Sequence, residues 1–173
     1  MIPNQKILPV SVLTAFDLSK DQIEIALIGN GLINHTWKLT GVNKSWILQK
    51  INTSVFPEPE KMDDNIQLLA AHLKLNHADY LFTEQVQTKS GKTMVKQGDD
   101  YYRLFVFIPD SHTITVVDNE YQAEEAAFQF GNFTKQFIDL DCQRLKTTIE
   151  HFHDLSFRYQ QFLQAVPNST QER

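Results

Sequence analysis

Ile23-Glu24-Ile25-Ala26-Leu27-Ile28 runs into Gly29-Asn30-Gly31; Ile33 to Leu39 follows, then the turn Gly41-Val42-Asn43-Lys44, then Ser45-Trp46-Ile47-Leu48-Gln49-Lys50-Ile51. Three runs rich in β-branched and aromatic residues are thus separated by short clusters of Gly and Asn. That pattern predicts an antiparallel meander of three strands. Pro57 and Pro59 then end the strand mode, and Glu60 to Leu75 takes a helical period, with Met62, Ile66, Leu69 and Leu73 on one stripe.

Outward from this block the reading alternates again. Tyr80 to Gln87 turns through Lys89-Ser90-Gly91-Lys92, Thr93 to Lys96 turns through Gln97-Gly98-Asp99-Asp100, and Tyr101 to Ile108 forms an apolar strand that Pro109-Asp110-Ser111 ends. Two further hairpins are therefore expected. From Asn119 the period is helical: Tyr121 to Phe137 makes one helix, and a second helical region runs from about Gln143 to Val166 with a break near His153-Asp154. Three strands, a helix, more strands, a connector and then helices describe an α+β fold with no βαβ repeat, which excludes a Rossmann-type parallel sheet.

With 42% hydrophobic and 21% charged residues, the 173-residue chain has the composition of a folded globular protein. Its formal net charge of −5 argues against a nucleic-acid-binding surface. Cys142 is the single cysteine, so no internal disulfide can form. No apolar run approaches the roughly 20 residues that span a bilayer. The expectation is a cytoplasmic protein without membrane or nucleic-acid partners.

Ser90-Gly91-Lys92-Thr93 looks like the end of a phosphate-binding loop, but Val86 stands where that motif needs its earlier glycine and a strand follows. A hairpin turn is the better account. His151-Phe152-His153-Asp154 has a spacing that suits a metal poorly on a helix, and Cys142 beside Asp139 and Asp141 lacks the electropositive setting of a reactive thiol. No metal site is expected. The segment Gly29-Asn30-Gly31-Leu32-Ile33-Asn34-His35-Thr36 is different, because glycines let a backbone approach a ligand and offer amides to phosphate oxygens. A glycine-bearing hairpin, a strand with a cation, a helix, more strands and a short connector are the ordered parts of a kinase small lobe.

Within that order, Gly31 to Thr36, Trp46 to Asn52, Val55-Phe56, Asp64-Asn65-Ile66, His72-Leu73, Tyr102-Arg103-Leu104-Phe105, Phe107-Ile108, and Ile149 to Asp154 with Arg158 resemble the aminoglycoside phosphotransferase and choline kinase superfamily, most closely its N-acetylhexosamine 1-kinase branch. The likeness runs from about Leu13 to Val166. It implies a kinase-like small lobe over 1–108, a connector over 109–118 and the first helices of a larger lobe over 119–173. It implies ATP and Mg²⁺, and phosphorylation of a hydroxyl on a sugar or similar acceptor.

By that resemblance Gly29, Asn30, Gly31, Asn34 and His35 form the phosphate-covering hairpin, Gln49 or Lys50 contacts the phosphates, and Phe107 with Ile108 flanks the adenine. Two departures stand out. Gln49 occupies the strand position where the family carries a Lys or Arg, and Asn65 the helix position of its partner Glu. The catalytic and metal-binding residues of such kinases lie in the larger lobe, so none is expected in this chain, and the chain alone is expected to be inactive. The alternative is a non-catalytic interaction or regulatory module, with self-association through exposed apolar helix faces.

Overall fold

The computed structural model describes residues 8–28, 33–83 and 85–166. A short helix, α1 (Val10–Ala15), precedes strands β1 (Glu24–Leu27), β2 (His35–Thr40) and β3 (Ser45–Ile51). Helix α2 (Pro59–Asn76) follows, then β4 (Met94–Gln97), β5 (Asp100–Val106), α3 (Glu120–Gln136) and α4 (Leu155–Ala165). The five strands form one antiparallel sheet in the order β1-β2-β3-β5-β4. The fold is α+β, as the sequence predicts: one antiparallel sheet with helices before, within and after its strands.

Local chemistry explains most boundaries. Gly98, at φ +63°, opens the two-residue loop that pairs Gln97 with Asp100, a turn in which a side chain would be strained. Pro59 opens α2 at a position where its missing N–H is not needed. Asn119 caps α3 by accepting the Gln122 amide at 3.0 Å, and Asp154 caps α4 by accepting that of Phe157 at 2.9 Å.

Because side chains alternate along a strand, Trp37, Leu39, Leu48, Tyr102 and Leu104 share one face of the sheet. Leu8 and, from α1 and its C-terminal end, Val12, Leu13 and Phe16 cover that face and complete the buried cluster. Each such side chain contributes about 1.5–3 kcal/mol through removal from water. The opposite face meets α2, where Thr93 Oγ donates to Asp63 and Gln67 Nε2 reaches Thr93 at 3.1 Å. Leu73 of α2 and Ile51 of β3 are buried outside the α1 cluster.

Three expectations change. Val10–Ala15 is a helix in a stretch to which the sequence reading assigns no element; Val12 and Leu13 gain their helical role by closing the sheet core. Among its described residues, Tyr80 to Gln87 forms no strand: it meets the sheet through the bridge between Gln85 and Phe105, the Val86 amide on Leu104 and the packing of Val86 against the α1 cluster. The chain instead tightens at Thr88, whose hydroxyl accepts the Lys92 amide while the Thr88 amide bonds the Lys92 carbonyl. The second helical region is α-helical only from Leu155; before it lie a single 3-10 turn, Cys142–Arg144, and turns. The break near His153-Asp154 is present, as the cap of α4.

α2 also touches the later chain. Asn65 makes a reciprocal pair with the Lys146 backbone, accepting its amide and donating to its carbonyl, both at 2.8 Å. Asp64 pairs with the Lys146 ammonium. His72 bonds the Gln136 carbonyl at 3.1 Å and lies beside the Phe137 ring. No helix among the described residues is long and apolar enough to cross a membrane.

Candidate functional site

The site grows from the parity of β3. Lys50 pairs with His35 and Tyr102 and so lies on the α1 face, while Gln49 pairs with Thr36 and Arg103 and lies on the α2 face. Lys50 is held there by an ion pair with Asp100. Only one of the two candidate phosphate contacts can share a face with α2, and it is Gln49. The cation on that face comes from another strand. Arg103 of β5 donates from Nε to Gln49 Oε1 at 3.1 Å, across a sequence separation of 54 residues.

Arg103 is 9% exposed, and its Nη1 has no hydrogen-bond partner among the described residues. Burial pushes its pKa below the ordinary arginine value, and the Asp63 carboxylate on α2 opposes that shift. A guanidinium stays protonated in proteins, so this is a buried positive charge with spare donor capacity. Its carbon stem places the charge 5.1 Å from the centre of the Phe105 ring. Asp63 is itself fixed by the Thr93 hydroxyl, at 2.9 and 2.7 Å to its two oxygens, and by Gln67 Nε2 at 2.8 Å.

Asn65 is engaged with Lys146, and the acidic residue of α2 whose charge reaches the strand cation is Asp63, two positions earlier. Two residues on a helix differ by about 200° in direction, which moves a side chain from the sheet side to the far side.

One step along the same face lies an apolar pocket of about 410 Å³, lined by Ile28, Ile47, Phe105, Phe107, Ile108 and the hydroxyl-bearing Thr83, with Val106, Ser111 and Thr113 completing it. Phe107 is further held by the Lys38 ammonium, 3.9 Å from its ring centre, and by its own amide on the Ser45 carbonyl at 2.9 Å. The Ile108 carbonyl accepts the Ser111 hydroxyl at 2.6 Å. Phe107 and Ile108 thus line a pocket of small-ligand size. Ile47 and Phe105 are a cross-strand pair, and Gln49 and Arg103 are the next pair on that face. Two residues along a strand span about 6.6 Å.

Of the remaining residues, Gly29, Asn30 and Gly31 lie outside the described residues. Asn34 accepts the Asn52 amide at 3.0 Å, so its side-chain oxygen closes the root of the hairpin onto the end of β3. His35 is exposed on the α1 side, with its ring 6.2 Å from that of Trp37. Among the described residues no three His, Cys, Asp or Glu side chains gather into a metal-holding group.

Ile28, Ile47, Phe105 and Arg103 are the site residues that the sequence reading does not single out. For Arg103 a signal was present: it is the single charge in the apolar run Tyr101 to Ile108, at the same parity as Phe105 and Phe107. An ionised residue buried in a strand needs a partner or a ligand.

No family model matches the chain. Among solved structures it is similar to the crystal structure of the spectinomycin phosphotransferase APH(9)-Ia in complex with ADP and spectinomycin, at 12% identity and a TM-score of 0.48. The match covers 78% of this chain and 39% of that one, so the present chain spans less than half of its length.

Proposed function

We propose that this chain is the nucleotide-binding lobe of an ATP-dependent phosphotransferase whose acceptor is a hydroxyl of a sugar or similar small molecule. The observation that carries the reading is the apolar pocket at Ile28, Ile47, Phe105, Phe107 and Ile108, set beside a buried cation on the same sheet face. A planar base fits the first and a polyphosphate the second, in the order in which a nucleotide presents them. The sugar acceptor and Mg²⁺ rest on the family resemblance; phosphoryl transfer would be the work of a protein that contains this lobe.

Titration calorimetry of the chain with adenosine tests the base pocket directly. Saturable binding that weakens about tenfold in Phe107→Ala, a loss equal to about 1.4 kcal/mol, is the expected result. Absence of adenosine binding at millimolar ligand would remove the reading. A second reading has its own observation: Phe128 and Phe130 of α3 and Leu155 and Phe162 of α4 are exposed, at 60–81%. Exposed apolar surface of this kind suits an interaction module. Concentration-dependent self-association without adenosine binding would favour it.

A further inference from the structure

We infer that the phosphate-binding cation of this lobe is Arg103, supplied by β5 and aimed by Gln49, and that Lys50 takes no part. The inference rests on the nucleotide-binding reading above and names the group that reads the polyphosphate. Gln49 stands where the resemblance expects a strand cation, and a glutamine there would leave phosphate oxygens without positive charge. The register resolves this, because Gln49 and Arg103 are directly opposed and hydrogen-bonded. The glutamine oxygen takes up Nε and leaves Nη1, buried and without a partner among the described residues, to meet an anion. A buried donor left unmatched is costly, and an anionic oxygen is the ligand that best matches a guanidinium.

Three further facts favour this placement. Phe105, which packs against the guanidinium, also lines the apolar pocket, so base and cation sites are contiguous. Asp63 faces Arg103 from α2 but is already occupied by Thr93 and Gln67, which leaves the arginine a counter-charge without closing its spare donor. Lys50 is on the opposite face and engaged by Asp100.

The test compares the affinities of adenosine and ATP for the intact chain by calorimetry, so that the phosphate-dependent gain is read as a ratio. In the unmodified chain ATP is expected to bind about 10- to 100-fold more tightly than adenosine. In Arg103→Gln that ratio falls by about tenfold or more while adenosine affinity stays within about threefold; Arg103→Lys keeps part of the ratio, and Lys50→Ala keeps all of it. Should Arg103→Gln fail to fold, Gln49→Glu leaves Arg103 in place, neutralises it through an ion pair and lowers the same ratio. A ratio that survives in Arg103→Gln or Gln49→Glu, or one that collapses in Lys50→Ala, overturns the inference with the base pocket intact. Adenosine binding without any gain for ATP in the unmodified chain also overturns it alone. Binding of neither ligand removes the nucleotide reading and the inference together.

Discussion

On the α1 side of the sheet, Trp37, Leu39, Leu48 and Leu104 are at most 6% exposed and close against Val12, Leu13 and Phe16. On the α2 side, the same strands present Ile47, Gln49 and Phe105 half-buried, with Arg103 sunk among them and a pocket left open beside the connector. The buried side-chain atoms without a partner among the described residues belong to Gln85 and Arg103, and both lie on the α2 side. The first face is dry and satisfied, as a core must be to offset the entropy of ordering the chain. The second retains unmatched polar groups and space, a costly condition that a ligand would relieve. One sheet thus separates a closed apolar core from an open, partly polar face by the parity of its side chains.

The largest test of that separation is Leu104→Ala on the closed face. It should lower stability by about 2–5 kcal/mol in urea denaturation, while adenosine affinity measured on the folded fraction stays unchanged. A loss below about 1 kcal/mol would mean that the α1 cluster is not the main core. On the open face, Gln85→Leu should do the reverse and raise stability by about 1 kcal/mol, because it removes two unmatched polar atoms from the wall that Gln85 shares with Ile66 and Ala70 of α2. Destabilisation there would show that the Gln85 amide has partners in solution.

Lys50→Ala breaks a partly exposed ion pair and should cost about 0.2–1 kcal/mol, with no change in nucleotide affinity. The last effect is one of pH. Tyr102 is 3% exposed, and burial first, then the Asp100 carboxylate, raise its phenol above the ordinary value of 10.0. A raised acid favours the neutral form in the folded state, so this contribution is complete below pH 10.0 and is lost as pH rises toward the folded value. Tyr102→Phe should flatten the alkaline limb of a stability-versus-pH curve; an unaltered limb would assign that loss elsewhere.

Some of this was written locally. The Gly-Asn and Gly-Val-Asn-Lys breaks between β-branched runs mark the meander, and the register of β2 on β3 bears it out from His35 to Thr40. Pro59 and the stripe of Met62, Ile66 and Leu73 place α2 to within a residue at either end of Glu60 to Leu75. The end of β5 was legible to within two residues because the apolar run Tyr101 to Ile108 stops at Pro109. Tyr80 to Gln87 misled because alternation alone does not supply a strand partner. Most of the free edge of β5 is taken by β4, and among the described residues Gln85 and the Val86 amide meet what remains.

The sequence by itself determined the kinds of element, their order, and the fact that Gln49 and Lys50 must point to opposite faces, because these follow from periods of two and about 3.6 residues that are local properties of the backbone. Only the tertiary structure decided which face is which. That choice depended on α1 closing over Leu48 and Leu104, on α2 turning Asp63 rather than Asn65 toward the sheet, and on β5 bringing Arg103 opposite Gln49. Each is a contact between segments far apart in the chain, and no local period carries information about what will cover a face.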